Sequence, residues 1–133
     1  MIVCNSLLIY ADGASKGNPG PSGAGAIIYR GDRVIERISQ PLGEATNNIA
    51  EYKAVILALK KAEEMKAQRV TLYSDSELLV RQMNGQYRVK DKELKILSLE
   101  VNRLRKRFGE LTITHIPRKK NKEANLLADQ ACY

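Results

Sequence analysis

Three carboxylates stand in this sequence where a purely structural account fits poorly. Asp12 closes an alternating stretch, Leu8, Tyr10, Asp12, and so shares a strand face with apolar groups. Glu51 has Ala54, Val55 and Ala58 at i+3, i+4 and i+7, which sets it on or beside the apolar stripe of a helix. Asp75 follows Val70–Ser74, where a strand gives way to a helix. Each also has an ordinary explanation. Asp12 suits a turn before Gly13. Asn48 and Glu51 suit a capping box, and Asp75 suits an N-cap. What joins the three is position: all fall at element ends that a mixed sheet can bring together. Carboxylates gathered in one place repel, and their pKa values rise unless cations compensate. Hard divalent cations with oxygen ligands, Mg²⁺ foremost, are the natural compensation. Two such ions roughly 3.5–4 Å apart activate a water and stabilise the leaving oxygen of a phosphodiester.

The elements that must position these acids follow from periodicity. Leu7–Asp12 reads as a strand entering a glycine-rich turn, Gly13–Gly23. Ala24–Tyr29 and Arg33–Ser39 flank Gly31-Asp32 as a hairpin. The period then changes. Ile49, Tyr52, Val55, Ile56, Leu59 and Ala62 recur at three and four, predicting a long helix over Thr46–Lys66. Arg69–Ser74 is a short strand, and Ser76–Asn84 a helix with Gly85 as its C-terminal cap. Lys92–Phe108 is a third helix, Leu111–Ile116 the last strand and Asn121–Ala131 the last helix. The order βββαβααβα predicts an α/β (mixed) fold, a five-stranded mixed sheet flanked by helices. With 133 residues and no divisive linker, residues 1–133 are expected to form a single domain.

Composition narrows the function. The chain is 44% apolar and 28% charged, enough for a packed core and too apolar for wholesale disorder. Its apolar runs are too short to span a bilayer, and Met1–Asn5 lacks a basic leader, so no membrane role and a cytoplasmic location are expected. Cys4 and Cys132 have no metal-type spacing and pair only if the termini meet. The net charge is +7, unevenly spread: residues 67–133 carry 14 basic against 8 acidic side chains. A basic stripe beside a near-neutral half fits an anionic polymer, though a solvated helix face explains it too. Gly13–Gly25 contains no Gly-Lys-Ser/Thr and no third fingerprint glycine, so it is no P-loop or dinucleotide site. A tight turn letting backbone approach a sugar–phosphate chain is the better reading.

Four segments carry a resemblance: Tyr10-Ala-Asp-Gly-Ala-Ser-Lys-Gly-Asn-Pro-Gly20, Thr46-Asn-Asn-Ile-Ala-Glu-Tyr52, Ser74-Asp-Ser-Glu-Leu78 and Ile116-Pro-Arg-Lys-Lys-Asn-Lys-Glu-Ala124. In order and spacing the chain resembles ribonuclease H type 1 over nearly its whole length. The resemblance implies an endonuclease that hydrolyses the RNA strand of RNA/DNA hybrids with two Mg²⁺ ions, Mn²⁺ being a possible substitute. It implies that Asp12, Glu51 and Asp75 are metal ligands. It also implies that Asn18 and Asn47, with backbone around Gly13 and Ala14, contact RNA 2′-hydroxyls, the groups that distinguish RNA from DNA. Glu77 stands where many relatives carry Gln, a minor-groove contact, and Asn48 is placed to touch the DNA strand.

Three departures qualify the resemblance. The family's fourth ligand is an aspartate in an Ala-Asp-x-Leu-Ala pattern, and here Ala124-Asn-Leu-Leu-Ala128 puts Asn125 there. Asn125 borders the apolar face of its helix, and the alternative, Asp129, is rotated about 40° further toward solvent. The expected consequence is a more weakly held ion and reduced activity, or a need for more Mg²⁺ or Mn²⁺. Second, many relatives carry a histidine in a loop before the last helix; His115 lies on a strand instead, and Arg118 is the nearest side chain to assist phosphate departure. Third, no extra basic helix is present. Arg88, Lys90 and Lys92, with Arg103–Arg107, are expected to do its electrostatic work. The competing readings are a hybrid- or double-stranded-RNA-binding module with lost or weakened catalysis, and a superfamily DNA nuclease. Nothing in the sequence demands more than a monomer.

Overall fold

The computed structural model describes residues 5–132 and gives the expected order of elements. Strands β1 (Ser6–Ser15), β2 (Gly20–Arg30) and β3 (Arg33–Ala45) form an antiparallel meander. Helix α1 (Asn47–Glu64) leads to β4 (Arg69–Ser74), which lies parallel to β1. Helices α2 (Glu77–Met83) and α3 (Lys92–Arg105) precede β5 (Glu110–His115), parallel to β4. A short 3₁₀ turn, Arg118–Lys120, introduces α4 (Lys122–Ala131). The sheet order is β3-β2-β1-β4-β5. None of the described helices is long and apolar enough to cross a membrane.

Alternation along β1 decides which helix lies on which face. Leu7, Ile9 and Ala11 are buried in one core with Tyr52, Val55, Leu59 and Ala62 of α1 and Leu104 of α3. Asp12 points the other way, toward α4, which lies against β2 where Gly23 and Gly25 leave room. A Cβ on Gly25 would lie 2.2 Å from the Ala124 carbonyl oxygen, so only glycine admits the helix backbone there.

The strands run further than periodicity alone predicts. The expected Gly13–Gly23 turn is mostly sheet, with Gly13 opposite Ala24 and Ser15 opposite Ser22. Small residues carry no apolar alternation, so the pairing they make was not legible. Gly13 serves packing as well: a Cβ there would sit 2.2 Å from Ala50 of α1, so its absence lets the helix backbone close on β1. The connection after β5 contains a 3₁₀ turn where only a compact link was expected. Cys4 lies outside the described residues; Cys132 is buried, its sulfur 3.4 Å from the Ala128 carbonyl oxygen.

Candidate active site

Three backbone elements meet at one place. The parallel register sets Tyr10 opposite Tyr73, so two residues further on Asp12, still within β1, lies level with Asp75, just past the end of β4. Glu51 arrives from α1, whose backbone closes on Gly13 of β1. Carboxylate oxygens of Asp12, Glu51 and Asp75 all lie within 4.8 Å of one another.

The ordinary explanations for two of these acids fall away. Helix α1 is capped by Thr46, whose hydroxyl accepts from the Ile49 N–H at 3.2 Å, and Asn48 lies inside the helix. The expected Asn48–Glu51 capping box therefore does not form, because Thr46 reaches the first unpaired N–H groups sooner. Helix α2 is capped by Ser76, which accepts from the Leu79 N–H at 3.3 Å, so Asp75 is not its cap. Both acids are left for something else.

Their electrostatics is unfavourable without a cation. Burial, then the charge of Asp75, pushes the Asp12 carboxyl up to about 7; only 4% of Asp12 is exposed. Burial, then the charges of Asp12 and Asp75, pushes Glu51 up to about 8. Hydrogen bonds oppose this in part: Asn125 Nδ2 donates to Asp12 Oδ2 at 2.7 Å, and Ser76 bonds to Glu51. The Arg118 guanidinium lowers both values further, which places its charge within reach of the cluster. A partly buried set of hard oxygen donors, with Asp12 and Glu51 pushed up in pKa, is the donor chemistry a divalent cation satisfies. The residues present fit such a cation.

Of the remaining expected residues, Asn125 and Arg118 act on this cluster directly. Asn125 is beside Asp12, whereas Asp129 pairs with Lys16 at 3.5 Å and is not among the clustered acids. Asn18 Oδ1 accepts from the Asn47 N–H at 3.1 Å, and Asn47 Oδ1 accepts from the Ser15 N–H at 3.0 Å. Asn18, Asn47 and Asn48 line one cavity of about 450 Å³. Ala14 lies on β1 beside Gly13. Glu77, on the first turn of α2, pairs with Arg81 at 3.3 Å and is not in the cluster. Arg118 lines a cavity of about 470 Å³ with Lys119, Lys122, Asn125 and Asp129. His115 is exposed at the end of β5.

Two contributors were not foreseen. Ser76, expected as the first residue of its helix, is instead the cap of α2 and also serves Glu51. Asn121 looked like the first residue of the last helix. Its Nδ2 instead donates to the Ala11 carbonyl oxygen at 2.9 Å and to Asp75 Oδ2 at 3.2 Å. A neutral amide at the start of an apolar helix carries no signal of such a role.

A mixed sheet in this order, with three acids at its strand and helix ends, defines a ribonuclease H-like domain, and the comparisons agree. Residues 10–131 match the family model described as reverse transcriptase-like. Ribonuclease HI of Halobacterium salinarum is 37% identical over 123 residues, 92% of this chain and 62% of that protein. Bifunctional protein Rv2228c of Mycobacterium tuberculosis is 38% identical over 94% of this chain, which spans only 35% of that protein. Its solved N-terminal RNase H domain superposes with a TM-score of 0.93 at 36% identity, covering 96% of this chain and 99% of that one. LC11-RNase H1, solved in complex with RNA/DNA hybrid, superposes with a TM-score of 0.90 at 37% identity, over 95% and 96% of the two chains. The chain belongs to the ribonuclease H type 1 family.

Proposed function

We propose that this domain hydrolyses the RNA strand of RNA/DNA hybrids, with Asp12, Glu51 and Asp75 holding two Mg²⁺ ions, or Mn²⁺ in their place. The approach of these three carboxylates to within 4.8 Å carries the proposal. Bound there, the metal supplies an activated water and charge stabilisation at the leaving oxygen. Asp12, Glu51 and Asp75 supply oxygen donors that the fold has already gathered. Asn125 takes the fourth position without a charge, so the set carries three formal negative charges where an aspartate there would make four.

The neighbouring residues orient the substrate. Asn18 and Asn47 have their side-chain oxygens engaged by backbone N–H groups, so each points an amide NH₂ at what it recognises. A ribose 2′-hydroxyl oxygen accepts such a bond and a deoxyribose does not. Gly13 and Ala14 contribute backbone to the same contact, Asn48 reaches the DNA strand, and Glu77 reaches the minor groove. Arg118, whose charge acts on Asp12 and Glu51, balances the phosphate as it departs.

The test is a hybrid with each strand separately labelled, incubated with Mg²⁺. Cleavage confined to the RNA strand is the expected result. Binding without cleavage in Mg²⁺ or Mn²⁺ would make this a recognition module, the alternative to which the missing charge at Asn125 gives weight. Cleavage of the DNA strand would make it a different nuclease of the superfamily. Arg118→Ala lowers turnover at unchanged hybrid affinity if Arg118 has the stated role, and intact turnover disposes of it.

A further inference from the structure

One residue, Asn121, ties together four of the segments around the acid cluster. Asn121 is 1% exposed and stands where an N-cap belongs, yet it makes no capping bond to α4. Its Nδ2 spends one hydrogen on the Ala11 carbonyl, next to Asp12, and the other on Asp75 Oδ2. Its N–H donates to the Arg118 carbonyl at 2.9 Å, and its own carbonyl accepts from the Asn125 N–H at 3.0 Å. The middle of β1, the end of β4, the 3₁₀ turn and the start of α4 thus meet in one residue.

The chemistry of the position excludes the usual substitutes. Aspartate caps helices well but would set a fourth buried charge against Asp75. Serine caps well but has a single hydrogen to give. Only an amide of this length donates to both acceptors, and it does so with Oδ1 buried and unpartnered. A residue selected for helix stability alone would cap and would strand no acceptor.

We propose that Asn121 is a positioning residue that fixes Asp75 relative to Asp12 and so sets the metal affinity of the site. This rests on the metal-dependent reading above. Outer partners that hold metal-binding carboxylates in place influence affinity about as strongly as this role requires, typically 10–100-fold.

The experiment is calorimetric titration of the full chain with Mg²⁺ alone, alongside thermal melts in chelator. Asn121→Ala is expected to weaken Mg²⁺ binding about tenfold or more, with Asn121→Ser recovering part of the loss through its one donor. On a hybrid substrate, kcat falls at fixed Mg²⁺ and recovers at high Mg²⁺, while KM is unchanged. Arg105→Ala is the structural control. It removes bonds to the Met83 and Leu111 carbonyls, far from the acids, and lowers Tm with Mg²⁺ affinity intact. Asn121→Ala binding Mg²⁺ within twofold of wild type, whatever its Tm, overturns the proposal. If that variant does not fold, unchanged affinity in Asn121→Ser overturns it equally. A wild type that takes up no Mg²⁺ overturns the metal reading itself, and this inference with it.

Discussion

At Asn125 the structure shows what an amide does in place of a carboxylate. It donates to Asp12 at 2.7 Å, where an aspartate would repel. Asn125→Asp is therefore expected to destabilise the metal-free protein by about 1–3 kcal/mol, the order of a lost buried hydrogen bond. The same variant should lower the Mg²⁺ concentration needed for half-maximal cleavage several-fold. Melts in chelator and a Mg²⁺ titration of activity check both halves, and an unchanged midpoint would refute the second. The clustered acids also predict a pH dependence. Asp12 and Glu51 hold their protons to about 7 and 8 in the folded chain, against about 4 when unfolded. Between those values the folded state binds more protons than the unfolded one, so stability from these groups is full below about pH 4 and is lost as pH rises through 7 and 8. In chelator, the Tm of wild type should fall between pH 5.5 and 8.5 more than that of Asp12→Asn/Glu51→Gln. Added Mg²⁺, which needs the ionised carboxylates, should raise Tm more at pH 8.5 than at pH 5.5.

At the scale of elements, the site depends on how closely helix backbone approaches strand backbone. A Cβ on Gly13 would lie 2.2–2.3 Å from the Ala50 carbonyl and the Glu51 nitrogen, neither of which can swing aside. Gly13→Ala is expected to cost about 1–3 kcal/mol through overpacking. Because the clash falls on the backbone of Glu51, cleavage should drop further than the Tm shift explains. Gly31→Asn is the comparison: φ is +64°, a region asparagine tolerates, and nothing lies within 4 Å of the missing Cβ. It should leave both stability and activity nearly intact. Periodicity made the long helix and the strand–helix alternation legible, because Ile49, Tyr52, Val55 and Leu59 face one core. It could not show where β1 and β2 end, because glycine, alanine and serine carry no alternation. Nor could it choose among Thr46, Asn47 and Asn48 as the cap, since all three side chains accept hydrogen bonds. Asp12, Glu51 and Asp75 were legible because a charge at the end of an apolar face is conspicuous. Asn121 was not, because a neutral amide at a helix start looks ordinary.

For the whole molecule, the two basic groups expected to act on an anionic substrate prove unlike. Arg103 is engaged by Glu100 at 2.8 and 3.1 Å, Arg107 by Glu63 at 3.3 Å, and Arg105 straps α3 to backbone carbonyls of α2 and β5. Much of the Arg103–Arg107 run is thus committed within the fold. Arg88 and Lys90, on the connection between α2 and α3, and Lys92, which opens α3, are all exposed. The electrostatic work expected of both groups falls mainly to the second. Replacing Arg88, Lys90 and Lys92 together by alanine should weaken hybrid binding and reduce the slope of log affinity against log salt by about 2–3. Replacing Arg103 and Arg107 should change that slope little. Filter binding across a salt series separates the two, and equal slopes for both variants would contradict the assignment.

The central claim is that Asp12, Glu51 and Asp75 form a pocket for divalent metal. A crystal soaked in Mn²⁺, with anomalous scattering measured above the manganese edge, tests it most directly. Peaks are predicted within coordination distance of those three carboxylates, and they should vanish in Asp12→Asn/Asp75→Asn. A map at saturating Mn²⁺ with no peak among those oxygens would contradict the claim.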